Sequence, residues 1–404
     1  MSDTMENSAQ QRNISKSIDV LIDEHARVLS DQLHILRSRL FSPQSEKQLR
    51  LFSSPEAARL IGVTDAYLRQ LARAGEGPEA ERGPGGRRLY SLKQINQIRR
   101  LLSQHKPAYL PGRTGDEHLQ VIAITNFKGG SGKTTASAHL AQYLAMRGYR
   151  VLAVDLDPQA SLSALFGYQP EFDIKPNETL YGAIRYDGQR RPLREIIRAT
   201  YFDGLDLVPA NLELHEYEHE TPLMLARGES GDGLFFARVA QALSTVDADY
   251  DVVVIDCPPQ LGFLTLGALC AATGIIITVH PQMLDVASMS QFLQMTAGLL
   301  GVVRKAGGNL EYDFLRYCIT RYEPNDGPQA QVVGFLRSLF GDLVLTQTAL
   351  KTTAVTEAGL RKQTIYEIPR DQLHRQTYER ALESFDLVNG EIEGLIRASW
   401  GRAS

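Results

Sequence analysis

Long apolar runs, clustered cysteines and a hydrophobic leader are all missing from this 404-residue chain. No uninterrupted apolar stretch approaches the ~20 residues of a bilayer-crossing helix, so no membrane span is expected. The opening MSDTMENSAQQRN is polar where a signal peptide carries its apolar core, which predicts a cytoplasmic chain. Cys257, Cys270 and Cys318 share no metal-ligand spacing, which argues against a disulfide scaffold and a Cys-rich metal site. Glycine (33) and proline (18) are ordinary, which excludes a collagen-like or low-complexity chain. What is there is 43% hydrophobic and 22% charged, the balance of a globular protein with a real core. The length suits two or three domains.

The net charge of −4 is spread unevenly. Residues 1–118 carry 18 Lys/Arg against 14 Asp/Glu, whereas residues 119–404 carry 25 against 33. Between Arg50 and Arg113 there are 12 basic and 5 acidic residues. A local excess of that size predicts an anionic partner, with DNA the first candidate.

Residues 15–41 read as one helix, because Ile18, Ile22, Leu29, Leu33, Leu36 and Leu40 recur at three- and four-residue steps, with His25 filling one slot. That stripe needs a partner, and the segment 1–45 is expected to be a dimerisation helix. Residues 46–106 read as a small DNA-binding domain. Ser53 or Ser54 caps a helix over 55–61 with Pro55 in its first turn, Gly62-Val63-Thr64 makes the turn, and a second helix over 65–74 stops at Gly75. After a Gly/Pro-rich loop, a short strand at Arg87–Tyr90 and a helix over 92–102 complete a winged helix-turn-helix grammar. Residues 107–118 are expected to be a linker. From 119 to 404 the runs VIAIT, VLAVD, LDLVP, DVVVID, GIIITVH and FLRYCIT alternate with helical segments. Strands apolar on both faces predict an α/β fold, a mostly parallel sheet flanked by helices.

The strongest local signal is Lys128-Gly129-Gly130-Ser131-Gly132-Lys133-Thr134-Thr135, placed after the strand VIAITN and opening a helix. Glycines let a backbone curl so that its N–H groups surround phosphate, and the following helix N-terminus adds its dipole. Lys133 suits the β/γ-phosphates and the Thr134 hydroxyl suits Mg²⁺. The plain phosphate-loop pattern fails at its first glycine, where Phe127 stands, and an extra lysine, Lys128, sits early in the loop. VLAVDLDPQAS and DVVVIDCPP put Asp155, Asp157 and Asp256 at strand carboxyl ends, where open parallel sheets bind ligands. Asp256 is placed to hold Mg²⁺ and Asp157 to orient an attacking water.

KGGSGKTT, DLDPQAS and VIDCPP resemble the three signatures of ParA-type partition ATPases, the deviant Walker-A group of P-loop NTPases. With the N-terminal module, the likeness is to the larger type Ia branch and its RepA group of repABC replicons. The resemblance implies ATP hydrolysis with ATP and Mg²⁺, with Gly129, Gly130, Ser131, Gly132, Lys133, Thr134 and Thr135 around the nucleotide. Thr134, Asp157 and Asp256 would be the metal residues. It implies a homodimer closed on two ATP molecules, Lys128 reaching the partner's nucleotide, and a ParB-type centromere-binding protein that stimulates slow turnover. It also implies nonspecific, nucleoid-associated DNA binding in the ATP state and repression of the protein's own operon. A MinD-like membrane-cycling ATPase and a nucleotide-sensing repressor are the alternatives.

Two DNA modes follow. For an operator, Tyr67, Arg69, Gln70 and Arg73 are the candidates to enter a major groove, with Arg87 and Arg88 on the wing. For nonspecific duplex the candidates are Lys351, Arg361, Lys362, Arg370, Arg375 and Arg380, interleaved with Glu357, Glu367, Asp371 and Glu379.

Overall fold

The computed structural model describes residues 17–40, 47–228 and 234–402. It divides into two units, 1–47 and 48–404. Among its described residues the first contains one helix, α1 (Ile18–Leu40), with Ile18, Ile22 and Leu29 of the predicted stripe exposed within it. The side chains of Leu33, Leu36 and Leu40 and the ends of the predicted span fall outside the described residues.

The second unit begins with strand β1 (Phe52–Ser53), helices α2 (Ser54–Ile61) and α3 (Asp65–Ala74), strands β2 (Glu81–Arg82) and β3 (Arg88–Tyr90), and helix α4 (Leu92–Ser103). The three short strands form one antiparallel sheet in the order β1-β3-β2. Local sequence chemistry sets each boundary. The Ser53 amide donates to Glu56 Oε2 at 2.9 Å, and Pro55 sits in the first turn of α2, where its missing N–H costs nothing. Thr64 Oγ1 accepts from the Tyr67 amide at 3.2 Å to start α3, and Ser91 and Gln94 form a reciprocal cap for α4. Ala57, Ala58, Ile61, Leu68, Leu71, Ile95 and Ile98 supply the buried faces.

The remainder is built on a seven-stranded sheet in the order β10-β9-β4-β8-β5-β7-β6. Its strands are β4 (Gln120–Thr125), β5 (Val151–Asp155), β6 (Arg198–Ala199), β7 (Leu205–Val208), β8 (Val252–Asp256), β9 (Gly274–Val279) and β10 (Phe314–Ile319). All pairings are parallel except β6 on β7, a two-residue edge. Every residue of β4, β5, β8 and β9 is buried, as continuous apolar runs require when helices cover both faces. The covering helices include α5 (Lys133–Arg147), α6 (Leu214–Arg227), α7 (Phe263–Ala271), α8 (Met283–Lys305), α9 (Gly327–Phe340), α10 (Thr353–Leu360) and α11 (Arg375–Ser399). Phe385, Ile396 and the adjoining Trp400 are buried where the last helix docks.

Helix α8 is interrupted by Asp285, Gln291 and Gln294, so it is not an uninterrupted apolar run. Among the described residues it is long and apolar enough, by length and composition, to cross a membrane. It joins β9 to β10, which pair in parallel from Phe314↔Gly274 to Ile319↔Val279, so it is the crossover between neighbouring strands of one sheet.

Residues 107–118, expected to be a linker, are strapped down instead. Arg402 donates to Pro111 O (2.6 Å), Gly112 O (2.8 Å) and Glu117 Oε1 (2.6 Å), Trp400 Nε1 to His118 O (2.9 Å), and Arg113 Nε to Tyr250 O (2.9 Å). The winged module is fixed beside them. Arg99, 1% exposed, donates to Asn96 Oδ1 (2.5 Å), to Leu60 O at the end of α2 (2.7 Å), and to Met146 O at the end of α5 (2.5 Å). Gly148 leaves room for it: its φ is +103°, and a Cβ there would meet the Arg99 side chain at 3.0 Å.

Candidate nucleotide site

The loop between β4 and α5 is held from below by neighbouring strands. Asn126 donates to Thr278 O and accepts from the Lys128 amide (3.0 Å), Ser131 Oγ meets Thr278 Oγ1 at 3.0 Å, and Thr320 Oγ1 donates to Ser131 O at 2.6 Å. Gly130 and Gly132 have φ of +77° and +87°, the left-handed conformations a phosphate-cradling turn uses. Gly132 also faces Thr320, which a Cβ would approach to 3.3 Å. Phe127, at the position where the plain pattern has glycine, stacks on Phe292 of α8 with ring centroids 5.4 Å apart.

Lys133 is buried at the start of α5 and donates to Lys128 O at 3.0 Å. Burial pulls its ammonium below the usual lysine range, against the attraction of Asp256. Asp155 and Asp256 end adjacent strands in direct register. Both are fully buried, and burial pushes both carboxyls up; the Asp256 charge adds to this at Asp155, while Thr134, Ser137 and Lys133 oppose it at Asp256. Asp155 accepts from the Ser163 amide and hydroxyl, each at 2.7 Å. Asp256 Oδ1 accepts from Ser137 Oγ at 2.9 Å, while its Oδ2 is buried with no hydrogen-bond partner among the described residues. Asp157 is partly exposed and caps the turn after β5 through the Gln159 amide at 3.0 Å.

The loop, Lys133 and Asp157 open on one cleft of about 480 Å³. Gly129, Gly130, Gly132, Lys133, Thr134, Thr135 and Asp157 line it; Ser131 turns its hydroxyl to Thr278. Thr320, Arg321, Lys351, Val355 and Phe385 line it too. Sequence reasoning missed this second group. Its residues lie about 190 to 250 positions beyond the loop and carry no motif; the only signal was the polar turn Thr320-Arg321-Tyr322-Glu323-Pro324 after β10. Arg321, with φ +52°, reaches back to donate to Gly130 O at 2.9 Å.

Lys351, picked from sequence as a DNA contact, is found lining this cleft and paired with Glu323 at 2.8 Å. Of the other basic residues of the C-terminal set, Arg380 is exposed and Arg361, Arg370 and Arg375 are tied locally. Arg361 donates to Gln372 (3.0 Å), Arg370 and Arg375 share Glu379, and Lys362 has a left-handed backbone at the turn after α10. In the winged module, Tyr67, Arg69, Gln70 and Arg73 lie on the exposed side of α3, opposite buried Leu68 and Leu71. Arg69 is braced by Asp65 (2.5 Å), Arg87 is exposed and Arg88 half-buried. The crowded Glu/His run of α6 is structural: Glu218 accepts from the Phe263 and Leu264 amides at 2.9 Å, capping α7. Cys257 is buried and its thiol is pushed up by burial, as packing requires. No group of three or more His, Cys, Asp or Glu side chains is gathered as a metal cluster among the described residues.

A parallel sheet whose first strand feeds a glycine-rich loop and helix, with acidic strand ends beside it, defines a P-loop NTPase. The AAA domain family matches residues 119–304. A Rhizobium rhizogenes protein named "Putative replication protein A" is 56% identical over 390 residues, 95% of this chain and 96% of its own. Protein SopA of Escherichia coli K12 is 33% identical over 89% of this chain and 92% of its own. A solved structure described as a partition protein shares the fold over 94% of this chain and 99% of its own, with TM-score 0.66 at 16% identity. The chain belongs to the ParA–SopA family of partition ATPases.

Proposed function

We propose that this protein hydrolyses ATP to ADP and phosphate, closes as a homodimer on the nucleotide, and uses that cycle to move DNA. The observation that carries the reading is the convergence of Lys133, Thr134 and Asp157 on one cleft, with Asp256 directly beneath. Lys133 binds and orients the β/γ-phosphates, the loop amides surround them, and Asp157 positions the water for in-line attack. Mg²⁺ fits the oxygen donors Thr134, Asp157 and Asp256, and the partnerless Asp256 Oδ2 is the buried atom that such a cation would satisfy. When bound, Mg²⁺ neutralises phosphate charge. Among the lining residues Val355 and Phe385 offer apolar surface for a base.

In this reading Lys128 crosses to the second subunit's nucleotide, and dimerisation gates turnover. The exposed faces of α3 and the wing bind operator DNA and repress, while the ATP dimer holds duplex without sequence preference. A ParB-type protein stimulates hydrolysis. A membrane-cycling role is less well supported, since Ile396 and Trp400 commit the apolar side of the last helix to packing. Phosphate release from the full chain with Mg-ATP tests the reading. Activity is expected, and Asp157→Ala is expected to lower it by about 10²-fold while leaving ATP binding intact. Equal rates in the two proteins would remove Asp157 from the mechanism. Duplex binding that is the same with ATP, with ADP and without nucleotide would remove the switch.

A further inference from the structure

Lys128 does not project freely from its loop. Its ammonium sits on Asp285 Oδ1, in the first turn of α8. That oxygen is buried and takes no other hydrogen bond. Asp285 Oδ2 lies 3.2 Å from His280 Nδ1. The pair is lopsided: the Asp285 side chain is 8% exposed and that of Lys128 is 40% exposed. An acid in a first turn is ordinarily explained by the helix dipole and points along the helix end toward water. Asp285 instead faces inward, toward the phosphate loop. Met283 and Leu284 beside it are exposed, so the mouth of the site presents apolar surface around this one buried carboxylate.

We propose that Asp285 is a positioning residue for Lys128, holding that lysine on its own subunit until the phosphates of a second subunit's nucleotide take it. The inference rests on the reading of Lys128 as a residue acting across the dimer. Lone burial of a carboxylate is costly, so a releasable pair needs a second partner for the acid. His280 fills that place. Burial holds its imidazole below the usual histidine range, and the positive charges of Arg321, Lys128 and Lys351 add to this, against Glu323. Departure of Lys128 removes one of those charges, so His280 becomes the better base just when Asp285 needs a cation. The ion pair then sets a threshold: ATP must outbid Asp285 before the clamp closes.

The test is sedimentation equilibrium of the full chain with a nonhydrolysable ATP analogue and Mg²⁺. Asp285→Asn is expected to tighten dimerisation by about fivefold or more and to raise basal hydrolysis. Asp285→Glu is expected to restore the parent behaviour, and Lys128→Gln to abolish the dimer with or without Asp285. An unchanged dimer constant in Asp285→Asn, with Lys128→Gln still monomeric, would overturn the latch and leave the proposed function standing. A Lys128→Gln protein that dimerises like the parent would overturn both. Should Asp285→Asn fail to fold, amine labelling of the nucleotide-free parent decides: Lys128 is expected to react several-fold more slowly than exposed Lys305, and equal rates would overturn the proposal.

Discussion

Helix α5 has a buried cation at each end, and the two are treated in opposite ways. At its C-terminus Arg99 spreads its guanidinium over three oxygens, two of them helix-end carbonyls that would otherwise lack partners. Burial still lowers its pKa to about 9. At its N-terminus Lys133 has one carbonyl, from Lys128, and faces an open cleft. The lesson is about satisfaction: a buried charge shared among several fixed oxygens holds structure, whereas a buried charge with one such partner beside an open cleft is waiting for a ligand.

Lys133→Ala sharpens the contrast most. Hydrolysis is expected to fall by roughly 10²–10³-fold, while the nucleotide-free protein keeps its melting temperature, because an undersatisfied charge has been removed. Phosphate release and a melting curve check this; a large loss of stability would break the distinction. Arg99→Met is expected to do the reverse. It strands Leu60 O and Met146 O and should cost about 3 kcal/mol in denaturant unfolding. Arg99→Lys should not rescue it, since one ammonium cannot reproduce the fork.

A smaller effect comes from the paired carboxylates. Asp155 and Asp256 have folded values raised above the ordinary 3.8, so the folded chain holds protons that the unfolded chain has released. That contribution is complete below 3.8 and is lost as pH rises through the raised values. His139, lowered by burial to about 4 from 6.5, has the opposite sign: its contribution is present above 6.5 and is lost as pH falls toward 4. Just above pH 6.5 the two carboxylates pull nucleotide-free stability down as pH rises, while Lys133 and Arg99, both lowered by burial, oppose them at more alkaline pH. Asp256→Asn should flatten the slope in urea melts at several pH values. Least of all, Arg375→Ala is expected to move stability by less than ~0.5 kcal/mol, because its partner Glu379 is shared with Arg370 at the surface.

Much of this was legible before any coordinates. The six long strands of the main sheet follow their apolar runs to within a residue or so at each end, because strands buried on both faces must be apolar throughout. The caps at Ser53, Thr64 and Ser91 set helix starts by chemistry local to three residues. The two-residue edge strand Arg198–Ala199 was not legible, being too short to show a period. Nor was the fate of residues 107–118: a Pro/Gly-rich composition looks the same in a tether and in a segment pinned by Arg402 and Trp400.

The sequence by itself determined the phosphate loop, the acidic strand ends and the helix starts at Ser53, Thr64 and Ser91, because each is written in neighbouring residues whose spacing carries the physics. Only the tertiary structure decided that Lys351 faces the cleft, that Arg321 closes on Gly130, and that Lys128 lies against Asp285. Those pairs are 157 or more positions apart along the chain, and such meetings are set by strand order and packing, on which local pattern has no hold.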